Sequence, residues 1–367
     1  MKICFLNENL DIKAGVGRFG RDVVENISKK EGIEAIVLTE QESGHKLERA
    51  VLRKSYLMRH FHNIFVNAFK IRKYIKKCDI VHALDGYPYG VIAALANIGL
   101  NKKLIINGIG TYSILPLDIP LKKGLMSWAY KRADRIICIS RFTEKQILKR
   151  VKLDNTIVIN HGVNYDKFNR SRLTRIKTQK DADAKVILSV GALKLRKGYH
   201  ISIPAIAEVK KKYKNIKYWI VGGHPSEFYS DLIKKYKLEM NVKFFQNISD
   251  EDLIELYYWA DIFLLTPITI NNNDFEGFGL VYLEAGACGK PVIGTYDCGA
   301  EDAIINNVTG LLVPQRDTQK TAEAVLKLLN NDALLRRLGE GGKKRAQEMR
   351  WDNVVEKYLE IYKQVLW

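Results

Sequence analysis

The stretch Asp274-Phe-Glu276-Gly-Phe278-Gly279-Leu280-Val-Tyr-Leu-Glu284-Ala-Gly-Ala-Cys-Gly-Lys-Pro291 concentrates more usable chemistry than any other part of the 367-residue sequence. Gly277 and Gly279 permit a tight turn, and the apolar run after them reads as a helix starting near Gly279, whose first N–H groups suit a phosphate. Glu276 precedes that start, and Glu284 lies about five residues inside it, ~7.5 Å along the axis. Two carboxylates then flank an anion site, each placed to accept a hydrogen bond from a sugar hydroxyl. The competing reading is an ordinary buried helix. It leaves Glu284 unexplained, because an unpaired buried carboxylate costs several kcal/mol.

Short β-rich runs alternate with helical patterns along the whole chain, the signature of βαβ units and parallel sheets. The first series of strands is expected at Ile3 to Leu6, Glu34 to Leu38, Ile80 to Ala83, Leu104 to Asn107, Arg135 to Ile139 and Thr156 to Ile159. A second follows at Val186 to Val190, Lys217 to Val221, Val242 to Phe245, Ile262 to Leu265, Pro291 to Gly294 and Leu311 to Val313. The fold class is therefore α/β with two doubly wound, Rossmann-like domains. The expected boundaries are 1–168, a charged linker at 169–185, 186–350, and a C-terminal helix at 351–367 that packs back toward the first domain. Ligands in such sheets bind beyond the carboxyl ends of the strands, so the strand-to-helix loops should hold the chemistry.

Those loops resemble glycosyltransferase family 4, the retaining nucleotide-sugar transferases built from two facing Rossmann-like domains (the GT-B fold) around a deep cleft. The family's E-x7-E is met by Glu276 and Glu284, and the surrounding E-G-F-G-L-x-x-L-E-A-x-A-x-G-x-P-V-I is close to its consensus. The resemblance implies that Glu284 holds the ribose, and that Glu276 with the backbone of Phe278, Gly279 and Leu280 holds the sugar. Gly191 and the following Ala192-Leu-Lys-Leu-Arg196-Lys197-Gly198 are similar to the diphosphate loop, with Arg196 and Lys197 as cations that replace a divalent metal on the leaving group. Many members carry Arg where this chain has Ala192. Gly222, in Val221-Gly222-Gly223-His224-Pro225, resembles the turn beside the nucleotide base.

In the first half, Ala14-Gly15-Val16-Gly17-Arg18 resembles the family's N-domain glycine loop, with Gly15 approaching the diphosphate and Arg18 facing phosphate or acceptor. The histidine that many members place after the fourth N-domain strand is absent, since this chain reads Asn107-Gly-Ile109. His82 and Asp85, ending the preceding strand, are candidates to compensate from a neighbouring loop; a core role for His82 is the alternative. The resemblance implies a nucleoside diphosphate sugar as donor, a UDP-sugar by weak preference, and a lipid-linked or glycan acceptor. It implies no cofactor and no metal. Asp181-Ala182-Asp183 matches D-x-D only formally, inside the charged linker.

Composition narrows the partners. The chain carries 59 Lys+Arg against 41 Asp+Glu. Residues 1–170 hold 30 and 16 of these, which leaves 29 and 25 for the rest, so +14 of the +18 lies in the first half. Residues 49–78 contain nine basic side chains and no acid, and read as an amphipathic helix with Leu57, Phe61, Ile64, Phe65, Ala68, Ile71 and Ile75 on its apolar face. Such a helix suits an anionic membrane surface. Nucleic acid is disfavoured, because no aromatic stacking pattern accompanies the charge. Five widely spaced cysteines without C-x-x-C fit a reducing compartment, and the expected location is the inner face of the cytoplasmic membrane. Two further readings stay open: an NAD-dependent dehydrogenase, on Gly15-x-Gly17-x-x-Gly20 with Glu40, and an inert nucleotide-binding relative of the family.

Overall fold

Strands that are buried on both faces read as unbroken apolar runs, and they pair in parallel when helices cover both sides of the sheet. In the computed structural model, which describes residues 1–11, 15–40, 50–54, 63–169, 183–271 and 273–367, Ile3 to Leu6 are fully buried and the sheets are parallel throughout. The chain forms two compact units. One comprises Met1–Gly162 together with Trp351–Trp367, and the other comprises Val163–Arg350.

The first unit is built on β1 (Lys2–Leu6), β2 (Glu34–Thr39), β3 (Ala50–Lys54), β4 (Ile80–Ala83), β5 (Lys103–Gly108), β6 (Arg135–Cys138) and β7 (Thr156–Val158). Their order is β3-β2-β1-β4-β5-β6-β7. The second unit contains β8 (Lys185–Val190), β9 (Ile216–Val221), β10 (Val242–Phe245), β11 (Ile262–Leu264), β12 (Val292–Thr295) and β13 (Gly310–Val313), in the order β10-β9-β8-β11-β12-β13. Strand order reverses between β1 and β4 in one sheet and between β8 and β11 in the other. At such a switch point the two neighbouring loops diverge to opposite faces and leave a crevice at the carboxyl ends of the strands.

Two expectations need correction. Residues 49–78 are not one helix: Ala50–Lys54 is an edge strand paired with β2 from Ala35↔Ala50 to Thr39↔Lys54, and the helix spans Asn63–Ile75. Leu57, Arg59 and Phe61 lie outside the described residues. Within the helix, Ile64, Ala68, Ile71 and Ile75 are buried, but Phe65 points outward with Val66 and Phe69, at 53%, 49% and 80% exposure. The second correction is the domain boundary, because residues 163–168 pack with the second unit. Val163 N donates to Met349 O at 2.8 Å, the Phe168 ring meets Tyr257 edge-on at 5.8 Å, and Tyr258 Oη donates to Phe168 O at 2.8 Å. Most of the expected linker, residues 170–182 with Asp181 and Ala182, lies outside the described residues.

The helix Trp351–Leu366 belongs to the first unit and is held by a buried polar network. Asn107 Nδ2 donates to Ile137 O and Tyr358 Oη, so its Oδ1 accepts from His82 Nε2 at 2.5 Å. His82 Nδ1 must then accept from Tyr362 Oη, at 2.7 Å. That pattern needs a neutral imidazole, and burial lowers the pKa of His82 to about 3 despite the Asn107 bond, which acts the other way. Trp351 packs edge-on against His161, 5.1 Å between ring centres, and a Cβ on Gly162 would strike the Trp351 ring at 2.6 Å.

A buried histidine with a depressed folded pKa stabilises the fold fully above its unfolded pKa of ~6.5, and loses that contribution as pH falls toward the folded value. Between pH 7 and pH 5 His82 alone should cost about 2 kcal/mol of stability. Urea titrations at the two pH values should show a shallower loss for His82→Gln than for the parent. Equal slopes would place the ring in solvent.

Candidate functional site

The switch point of the second sheet brings together loops that lie far apart in sequence. After β8 the chain passes Gly191 and forms a short 3₁₀ turn, Leu195–Lys197, ended by Gly198, which then caps the helix Tyr199–Lys212. Gly198 has φ +74°, and a Cβ there would lie 1.7 Å from Thr266 O. Only glycine fits this contact, which lets the loop after β11 lie directly on the turn. Thr266 Oγ1 donates to Gly198 O at 2.9 Å and Ile268 N to Arg196 O at 2.8 Å, completing the clamp.

Farther along the loop after β11, Gly279 at φ +85° starts the helix Leu280–Ala287, and no side chain caps that helix's first turn. Tyr282 N already donates to Gly279 O at 3.0 Å, so it is the amides at the very start of the helix, which no side chain caps, that form the arrangement that binds anions. Tyr282 Oη donates to Leu265 O at 2.9 Å and fixes the helix to the end of β11. Gly299 N donates to Glu276 O at 2.8 Å, which holds the backbone ahead of the helix start.

These constraints place Glu276, Arg196 and Lys197 in one ion cluster. Arg196 Nη1 lies 3.1 Å from Glu276 Oε2, and Lys197 Nζ bonds the same oxygen. Arg196 Nε also lies 3.4 Å from Asp274 Oδ1. Burial pushes the Glu276 carboxyl upward, but Lys197 and Arg196 outweigh it and hold the pKa below its usual value. The group is thus an anion at neutral pH, and the cluster sets two cations beside the open helix end.

The other candidates occupy different surroundings. Gly191 and Gly222 lie side by side at the ends of β8 and β9, with Gly191 N donating to Val221 O at 2.9 Å and Gly222 N to Phe245 O at 3.1 Å. Ala192 and His224 are exposed. Glu284 is fully buried and accepts from Tyr257 Oη at 2.9 Å. One partner of this embedded carboxylate is thus a tyrosine 27 residues upstream. Spacing within the motif could not have shown it.

In the first unit, Gly15 opens the helix Gly15–Ser28, and Arg18 Nε lies 3.9 Å from Asp22 Oδ2. Ala14 lies outside the described residues. His82 is spent on the core network. Asp85 is buried, accepting from Gly86 N at 2.7 Å and from Ser113 Oγ at 2.8 Å, so it orders its own loop. Neither presents a free polar face, and Asn107 is equally enclosed. Among the described residues no group of three or more His, Cys, Asp or Glu is arranged to hold a metal ion, and no helix is long and apolar enough to cross a membrane.

Two family models account for nearly all of the chain: Glycosyltransferase Family 4 over residues 14–167 and Glycosyl transferases group 1 over residues 171–345. The chain belongs to glycosyltransferase family 4. An uncharacterized glycosyltransferase of Methanocaldococcus jannaschii is 26% identical over 358 residues, covering 93% of each chain. The N-acetyl-alpha-D-glucosaminyl L-malate synthase of Bacillus anthracis is 26% identical over 340 residues, 86% of each. Among solved structures, Anabaena HepE in complex with UDP-glucose superposes with a TM-score of 0.80 at 17% identity, covering 99% of this chain and all of that one, which shows that this glycosyltransferase has the GT-B fold.

Glu276→Gln removes the anion that Arg196 and Lys197 share, leaving Asp274 on Arg196 to offset the repulsion between two partly buried cations. A loss of about 1 to 3 kcal/mol is expected in chemical denaturation at pH 7. Because the folded pKa is depressed, that contribution is present above the unfolded value of ~4.3 and fades as pH falls below it, so parent and variant should converge in acid.

Proposed function

We propose that this glycosyltransferase moves a sugar from a nucleoside diphosphate sugar, a UDP-sugar by preference, to a hydroxyl of a lipid-linked or glycan acceptor, with retention and without a divalent metal. The observation that carries this reading is the pairing of Arg196 and Lys197 on Glu276 beside the uncapped start of Leu280–Ala287. The cations and helix amides supply a built environment for a diphosphate, and Glu276 supplies an acceptor for a sugar hydroxyl once the cations turn to phosphate.

In the proposed step the bond from the sugar's anomeric carbon to the phosphate oxygen breaks, and its electron pair stays on the phosphate. The acceptor oxygen bonds that carbon on the same face, and its proton passes to the departing phosphate. Arg196 and Lys197 stabilise the charge that grows there, which is where preorganised cations contribute most. Glu284 takes the ribose role; its Oε2 accepts from Tyr257, and a carboxylate with two oxygens can accept more than one hydrogen bond.

The lipid-linked acceptor is supported by the outward face of Asn63–Ile75. Phe65, Val66 and Phe69 stand in solvent beside exposed Lys73, Lys76 and Lys77, and this combination matches an anionic bilayer better than charge alone does. Arg72 has another task, since its Nη1 donates to Ala96 O and Ile98 O at 2.8 and 2.7 Å. This surface would put the enzyme on the inner face of the cytoplasmic membrane, in cell-surface polysaccharide or glycolipid synthesis. The Bacillus relative is named for a small acceptor, L-malate, so a soluble acceptor is the competing reading.

Glu276→Gln should lower kcat by about 100-fold or more while nucleoside diphosphate affinity does not fall. Undiminished turnover in the folded variant removes the donor-site assignment. Sedimentation with phosphatidylglycerol vesicles should weaken at least about tenfold for Phe65→Ser/Phe69→Ser. An unchanged bound fraction would favour the soluble acceptor.

A further inference from the structure

Arg196 lies against two carboxylates. Its Nη1 contacts Glu276 Oε2 at 3.1 Å and its Nε lies 3.4 Å from Asp274 Oδ1, while Lys197 shares the Glu276 oxygen. Two negative charges therefore face two positive ones where, on the donor-site reading above, a diphosphate arrives with negative charge of its own. Glu276 has a second task in that reading, because it turns to a sugar hydroxyl. Asp274 has none. Its backbone is pinned, Ile270 N donating to Asp274 O at 2.8 Å and Asp274 N to Ile270 O at 3.1 Å. Its side chain is 43% exposed against 23% for Arg196, which places it on the solvent side of the cluster.

We infer that Asp274 sets how tightly the enzyme holds a diphosphate: it competes with phosphate for Arg196, repels the bound diphosphate, and recaptures the guanidinium when the nucleoside diphosphate leaves. The inference rests on the donor-site reading and adds to it a residue that tunes affinity and product release. A device of this kind has a cost in donor binding, and it acts on the product equally. Because product nucleotide carries more charge than donor, the repulsion bears hardest on the species that must depart.

The test is titration calorimetry of the full chain and of Asp274→Asn with UDP, GDP, ADP and inorganic pyrophosphate, at low and at high salt, with the parent nucleosides alongside. An exposed ion pair of this kind corresponds to about a two- to fivefold change in affinity. Asp274→Asn should bind the preferred nucleoside diphosphate tighter by that factor, and the gap should narrow at high salt as the charges are screened. The nucleoside should bind both proteins equally, and inhibition by nucleoside diphosphate should strengthen in the variant. Unchanged or weaker diphosphate binding overturns the inference and makes Asp274 a prop for Arg196. Equal tightening of the nucleoside overturns it too, by showing a reshaped pocket. If the parent binds none of these ligands, the donor-site reading fails and the inference with it, whereas a parent that binds and transfers beside a variant that does not tighten removes the inference alone. Asp274→Ser serves if the asparagine variant misfolds.

Discussion

A single carboxylate oxygen shared by a guanidinium and an ammonium is the interaction around which the second unit is organised. Glu276 lies 80 residues from Arg196 and 79 from Lys197, and neither loop could hold that geometry alone. An unpaired carboxylate or cation at this depth would cost several kcal/mol, so the two loops are only stable as a pair. The reversal of strand order at β8 and β11 makes their meeting possible, since it opens a crevice at the point where both loops emerge. Gly198 against Thr266 closes the distance, and the amide of Gly299 on Glu276 O keeps the second loop from drifting.

The first unit has the same reversal, between β1 and β4, but spends its polar residues differently. His82 and Asp85, which end β4 or follow it, look like site residues because charged and titratable side chains at that end of a parallel sheet usually are. Here their hydrogen bonds are consumed internally, by Asn107 and Tyr362 in one case and by Gly86 and Ser113 in the other. What decides between site and scaffold is whether a side chain's donors and acceptors are already spoken for. By that criterion both are structural, His82 holding the C-terminal helix through Tyr362 and Asp85 holding the loop of Gly86 and Ser113.

The same distinction explains how far the sequence could be read. Strands such as Ile3 to Leu6 and Ile80 to Ala83 announce themselves, because burial on both faces leaves no polar position to confuse the pattern. Ala50–Lys54 did not, since an edge strand carries charge and its neighbours shared the basic composition of the following helix. In that helix, apolar spacing placed Ile64, Ala68, Ile71 and Ile75 correctly and misplaced Phe65, because periodicity marks a buried face but is silent about apolar residues kept in solvent for another purpose. Glu276 and Glu284 were visible as a pair, yet Asp274 on Arg196 and Tyr257 on Glu284 were not, being contacts between separate loops and helices that no local spacing encodes.

The uneven charge of the chain takes on a different meaning once the side chains are placed. In the second unit, Arg196 and Lys197 are matched by Glu276 and Asp274, so the cluster is nearly neutral in itself, and on the proposed reading it would hold an anion by offering better partners rather than by net field. In the first unit some of the excess is structural, as with Arg72 on the carbonyl end of the helix Val91–Ala96. The remainder gains its significance from Phe65, Val66 and Phe69. Lysines alone would adsorb equally to any polyanion, and a solvated lysine face carries no information about its partner. Exposed aromatic carbon repays its cost in water only when it leaves water, which neither a phosphate backbone nor an acidic glycan allows as readily as a bilayer does. On the proposed reading it is therefore the apolar residues, and not the charge that first draws notice, that favour a membrane over other anionic partners.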